Sequence, residues 1–177
     1  SSALTVRITD NTPRYIPFMD ITAKGLSGIA SLKHADQRKN IFSPVGMNYE
    51  IGAVRPLAGA LADKWDAPRM APMSMDRIND TCVRLTQKGM EAAGLSMQMD
   101  YAVGSAYVDQ TMTMWPDQDA ESVEALWASY MCNPQNTSLY CRGIVEGESA
   151  PRWLEVSRIA HKSKEHVWRS FDPANKT

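Results

Sequence analysis

The feature that most constrains this chain is strict alternation. Across Leu95-Ser96-Met97-Gln98-Met99-Asp100-Tyr101-Ala102-Val103, every odd-numbered residue is large and apolar. A period of two sends successive side chains to opposite faces, as in a half-buried β-strand, whereas a helix repeats every 3.6 residues. Leu95, Met97, Met99, Tyr101 and Val103 are expected to face a core, while Ser96, Gln98 and Asp100 face water or a groove. After the turn signal Gly104-Ser105, a second run sets Val108, Met112 and Met114 on one face and Asp109, Thr111 and Thr113 on the other. A third, Thr81–Gln87, turns Val83 and Leu85 inward and Arg84 and Thr86 outward, bounded by Asn79-Asp80 and Gly89. Methionine is plentiful (11) and phenylalanine scarce (3). On these runs Met97, Met99, Met112 and Met114 are expected to fill the core in place of the missing rings.

Further strand candidates are Leu4–Thr9, Gly28–Lys33, Leu139–Val145, Trp153–Ser157 and Val167–Phe171. Short strands punctuated by Pro, Gly, Asn and Asp predict an all-β, antiparallel sandwich or barrel. Glu121–Met131 reads two ways. Val123, Leu126, Trp127 and Tyr130 fit one face of a short helix, while Ala125, Trp127 and Ser129 alternate as a strand. The strand is favoured because turn-like Trp115-Pro116-Asp117 and Asn133-Pro134 flank the run. Arg55–Pro72, with Pro56, Gly59, Pro68 and Pro72, is the expected long loop, of a size that usually serves as a lid or binding loop. Residues 1–171 are expected to form one sandwich domain and 172–177 a frayed tail. The chain stops without an obvious closing strand, which reads as a fragment of something longer or one subunit of an assembly.

A length of 177 residues suits one ordinary domain with a substantial core. Lys+Arg 19 against Asp+Glu 20 leaves a net charge of −1, without the basic footprint of a nucleic-acid binder or a membrane-surface protein. No apolar run approaches the ~20 residues of a helical membrane span. The expectation is a soluble protein, with the compartment left open between cytoplasm and periplasm. No charged and apolar leader precedes Leu4, so a signal peptide is either already removed or never existed. Cys82, Cys132 and Cys141 lack metal-site spacing and read as buried free thiols, with a Cys132–Cys141 bridge as the alternative. Asn79-Asp80-Thr81, Asn136-Thr137-Ser138 and Asn175-Lys176-Thr177 match the glycosylation tripeptide, a pattern too short to assign a compartment. GxGxxG, Walker and GxSxG motifs are absent, and Gly25-Leu26-Ser27-Gly28 is too short to cradle a phosphate.

Several segments together form a wider pattern. A Gly-containing strand ends near His34 and is followed by Asn40-Ile41-Phe42-Ser43-Pro44 and Gly46-Met47-Asn48-Tyr49-Glu50. Ala67-Pro68-Arg69-Met70-Ala71-Pro72-Met73 then leads into Arg77-Ile78-Asn79-Asp80-Thr81. Tyr107-Val108-Asp109 and Leu126-Trp127-Ala128-Ser129-Tyr130-Met131-Cys132-Asn133-Pro134 close the series. These segments, spread over residues 15–145, resemble bacterial β-sandwich proteins of the galactose-mutarotase-like supersandwich type associated with carbohydrate metabolism. The resemblance implies a sugar or glycoside ligand. Two departures leave enzymatic activity open. Where such proteins tend to read Leu-Asn-Phe-Glu-His, this chain has Met47-Asn48-Tyr49-Glu50-Ile51, without the imidazole, and it is shorter than a full supersandwich.

Sugar chemistry on a β-sandwich needs a carboxylate, a proton donor and an aromatic platform. Glu50 is the leading carboxylate, because its small, apolar surroundings would raise its pKa toward general acid or base work. The competing reading is a Glu that merely ends a strand. His34 is its natural proton partner, although Lys33, Asp36, Gln37, Arg38 and Lys39 also fit a solvated turn. Asn48, Trp65, Asp109 and Arg69 are the substrate-binding candidates, with Trp65 as the stacking ring; Trp115 and Trp127 are assigned to the core. His161 and His166 are spaced too poorly for a metal pair, so neither a metal nor a cofactor is expected. The sequence therefore supports a carbohydrate-binding or carbohydrate-processing sandwich. Its alternative is a non-catalytic structural subunit that packs against a protein partner or another copy of itself.

Overall fold

The computed structural model describes residues 3–17, 19–24, 27–37, 39–42, 50–58, 67–90, 94–117, 122–129, 138–158 and 166–170. The chain divides into two compact units, Ser1–Asn133 and Pro134–Thr177. Its described elements are strands and one 3-10 turn, and every strand pair is antiparallel.

The first unit is organised around a four-stranded meander of β6 (Met73–Asn79), β7 (Cys82–Met90), β8 (Leu95–Val103) and β9 (Val108–Pro116). Three strand pairs accompany it: β1 (Leu4–Thr9) with β4 (Gly28–His34), β2 (Arg14–Ile16) with β3 (Ile21–Ala23), and β5 (Glu50–Pro56) with β10 (Val123–Ala128). The alternation of β8 does what its period requires. Leu95, Met97, Met99 and Tyr101 are buried, and with Leu85 and Met90 of β7 they join Ile29 of β4, Phe42 and Val54 of β5 in one cluster. Val6, Ile8, Met112 and Val123 pack against that cluster. The meander therefore shares its apolar face with the β1–β4 and β5–β10 pairs, consistent with a β-sandwich.

Local chemistry sets the turns. Asn79 Oδ1 accepts from the backbone N–H of Thr81 (2.9 Å) and from its hydroxyl (3.2 Å), the side-chain turn that reverses β6 into β7. Thr81 thus belongs to the turn and β7 begins at Cys82. β7 also runs past Gly89, which does not end it: at φ 66° this glycine accommodates a register shift that returns Met90 to the core opposite Leu95. Asn40 binds the segment after β4 onto that strand. Its Oδ1 accepts from Leu32 N–H (3.0 Å) and Phe42 N–H (3.2 Å), and its Nδ2 donates to Ala30 O (3.1 Å).

Several expectations change. Val123–Ala128 forms strand β10 and not a helical turn, because β5 offers its backbone a partner from Val123↔Pro56 to Ala128↔Glu50. Arg55 and Pro56 accordingly end β5 and leave the expected loop, and Pro68–Met70 forms the 3-10 turn; residues 59–66 lie outside the described ones. Met114 is 42% exposed although it faces the same way as Met97, since β9 is an edge of the meander. Trp127 is likewise 42% exposed and Trp115 half-buried, so neither is a core ring. Cys82 and Cys141 are free thiols, half-buried where full burial was expected, and Cys132 lies outside the described residues.

The second unit contains β11 (Leu139–Gly143), β12 (Arg152–Arg158) and β13 (His166–Ser170) in one antiparallel sheet. Its one strongly buried carboxylate among the described residues is Glu155, 5% exposed, which accepts from Ser138 Oγ (2.6 Å) and Tyr140 Oη (3.4 Å). Residues 172–177, expected to fray, lie outside the described ones.

Candidate functional site

A cavity among the described residues begins where β1 ends. Asp10 Oδ1 accepts from Thr12 N–H (3.0 Å), turning the chain toward β2. Within that turn Asn11 Nδ2 donates to Arg69 O and Ala71 O, each at 2.7 Å. One amide therefore anchors both sides of the 3-10 turn, which also closes on itself through Met70 N–H to Ala67 O (2.9 Å). The anchoring shapes a cavity of about 280 Å³ lined by Asn11, Pro13, Lys24 and Arg69, with Met70, Ala71 and Pro72 completing the wall. That volume is near the lower end of small-molecule sites, roughly 300–1,000 Å³, and suits one small ring better than an extended chain.

The β2–β3 hairpin carries Lys24 at its exit, Pro13 at its entrance and Tyr15 two residues further on. Tyr15 is 57% exposed and donates its hydroxyl to Asp20 Oδ1 (2.6 Å). That bond to a carboxylate favours the protonated phenol and raises its pKa. Asp20 adopts φ 53°, the left-handed conformation that Asp tolerates in a tight reversal.

The sequence candidates are divided between two places. Arg69, half-buried, lines the cavity. His34 stands at the other end of β1, opposite Leu4, whereas Asn11 follows seven residues later; at ~3.3 Å per residue that is roughly 20 Å. The His34 backbone closes a tight turn through Gln37 N–H to His34 O (2.9 Å) and His34 N–H to Gln37 O (3.2 Å). Its Nδ1 accepts from Asp36 N–H (3.1 Å), with Asp36 Oδ2 at 3.5 Å, so the imidazole belongs to its own solvated turn. Ala35 N–H to Ala3 O and Ala3 N–H to Ser105 O tie this turn to the β8–β9 connection. Asp109, exposed near the start of β9 opposite Ala102, lies toward the same end. Glu50 opens β5 opposite Ala128, and its side chain lies outside the described residues, as do Asn48 and Trp65. Asn11 and Lys24 were missed by sequence reasoning. Neither carries a motif, and their only shared signal is a turn-forming neighbourhood.

The polar face of the meander is built differently. Arg84 and Asp100 are direct cross-strand neighbours, joined by Nε to Oδ1 and Nη2 to Oδ2 bonds of 2.8 Å each. The guanidinium hydrogen bonds hold the Asp100 carboxyl below its usual pKa, against the opposing effect of partial burial. Arg55 and Glu124 make a similar cross-strand pair at 2.6 Å. These ion pairs neutralise one another and leave little to recognise a ligand. Among the described residues no cluster of three His, Cys, Asp or Glu side chains could hold a metal. No protein-family model, curated protein or solved structure matches this chain.

Proposed function

We propose that the chain is a carbohydrate-binding β-sandwich of the galactose-mutarotase-like type, taking one sugar ring at the cavity beside Arg69. The observation that carries this reading is the composition of that cavity. Hydrogen-bonding side chains from Asn11, Lys24 and Arg69 share a volume of about 280 Å³ with apolar walls from Pro13 and Met70. A pyranose needs both kinds of surface, since hydroxyls ring its edge and C–H groups cover its faces. Tyr15 supplies an exposed ring on the adjoining hairpin.

The reading is binding, with processing as a further possibility for the opposite end of β1. Acid–base chemistry by His34 would act there, because His34 is roughly 20 Å from the cavity. Saturation-transfer NMR against a panel of monosaccharides and disaccharides tests the proposal. Transfer to one sugar, abolished by filling the cavity with Ala71→Trp, is the expected result. No transfer to any sugar refutes it.

A second reading has its own observation. Trp127 on β10 is 42% exposed, a large ring suited to a protein contact. Loss of self-association or of a stable co-purifying protein in Trp127→Ser, with sugar binding absent, would favour a partner-binding subunit.

A further inference from the structure

Charge is distributed unevenly around the cavity. The chain as a whole is balanced, with 19 Lys+Arg and 20 Asp+Glu. Elsewhere in the first unit, guanidinium groups meet carboxylates closely: Arg55 with Glu124 (2.6 Å), Arg77 with Asp80 (2.7 Å) and Arg84 with Asp100 (2.8 Å). The cavity lining is uniform in the sign of its charge. It includes Lys24 and Arg69 and no carboxylate. Asp10, beside Asn11 in sequence, uses Oδ1 to accept from Thr12 N–H. Lys24 makes no hydrogen bond or ion pair among the described residues. Arg69 does engage another group, but its five N–H donors leave room for a ligand oxygen as well.

Asn11 adds directionality. Both carbonyls it serves, Arg69 O and Ala71 O, are bound through Nδ2, which leaves Oδ1 as an acceptor for a ligand hydroxyl. The lining thus offers cationic donors, one neutral acceptor and an apolar wall. This combination matches a ring that bears both an anionic group and hydroxyls.

We infer that the cavity takes an acidic sugar, its carboxylate held by Lys24 and Arg69 and a ring hydroxyl by Asn11. This inference rests on the sugar-binding reading and narrows its ligand. Sulfated or phosphorylated sugars present the same anionic oxygens, so the experiment separates these sources. Isothermal titration would compare the methyl glycosides of galacturonate and glucuronate with those of galactose and glucose, 6-sulfated galactose and 6-phosphorylated glucose. Acetate, sulfate and inorganic phosphate alone serve as further probes.

At low ionic strength a uronate should bind at least about tenfold more tightly than its neutral counterpart, with the margin shrinking as salt rises. Lys24→Gln should weaken uronate binding about two- to fivefold, as for an exposed ion pair. Arg69→Gln should weaken it about tenfold, and each change should cost the neutral sugar less than it costs the uronate. Arg77→Gln, which removes a cation at the β6–β7 turn, should leave uronate binding unchanged. Unaltered far-UV circular dichroism and melting would establish that the variants fold.

Equal affinity for charged and neutral sugars overturns the acidic-ligand inference and leaves the sugar-binding reading standing. Preference for a sulfated or phosphorylated sugar overturns the carboxylate assignment. Acetate, sulfate or phosphate binding as tightly as any sugar overturns the inference in favour of a plain anion site. No binding of any sugar removes the underlying reading and the inference with it.

Discussion

Substituting Met99 by alanine tests whether the methionine excess is core packing. Met99 is fully buried on the central strand β8, between Leu85 of β7 and Met112 of β9, and its Sδ accepts from Tyr101 Oη at 3.6 Å. Buried Met→Ala changes cost about 2–5 kcal/mol, from lost transfer energy plus the cavity left behind. A site held by strands on both sides collapses poorly, so about 3 kcal/mol is expected, or a fall in Tm of about 6–12 °C for a chain of this size. Met114 provides the internal control. It has the same side chain on the same face of the next strand, yet it is 42% exposed at the meander edge. Met114→Ala should cost about 1 kcal/mol or less, because much of its surface never leaves water. Met99→Leu keeps the volume and should cost under about 1.5 kcal/mol. Urea unfolding followed by far-UV circular dichroism gives all three values at a common slope. Equal costs for Met99→Ala and Met114→Ala, or a cost below about 1 kcal/mol at Met99, would refute the burial argument.

The remaining predictions concern polar contacts. Asn40→Ala removes the bonds to Ala30, Leu32 and Phe42 and should cost about 2–3 kcal/mol, with hydrogen exchange speeding up first at the Leu32 and Phe42 amides. Global exchange with no local change at those two amides would count against it. Asp100 is depressed in the fold, so its stabilising contribution is present above the unfolded Asp value of about 3.9 and is lost as pH falls through the lower folded value. Asp100→Asn should therefore flatten the acid limb of the stability curve in that window while lowering stability at neutral pH. An unchanged acid limb would remove Arg84–Asp100 from the account of acid unfolding.

What could be read in advance follows burial. β1 is Leu4–Thr9 as expected, and the alternation of Leu95–Val103 marks β8 because that strand is central and one face is fully covered. β6 gave no such signal, since every residue from Ser74 to Asn79 is exposed on an edge strand and no apolar face had to be conserved against water. Glu121–Met131 stayed ambiguous because its residues satisfy both periods. The deciding factor was β5, whose backbone pairs with β10 across roughly 70 residues of sequence. Arg69 was legible as a cation in a proline-bounded segment, whereas its companions were not.

By itself, the sequence determined the strand period, the antiparallel all-β class and the core role of Met97 and Met99. These properties depend on side-chain spacing along a few neighbouring residues. Only the tertiary structure decided which methionine stays wet, that Val123–Ala128 is a strand, and that residues 11, 24 and 69 line one cavity. Those outcomes depend on contacts between segments distant in sequence, such as the two 2.7 Å bonds from Asn11 to Arg69 and Ala71. Local periodicity carries no record of such a bond, because either partner could satisfy its hydrogen bonds with water until the chain closes around it.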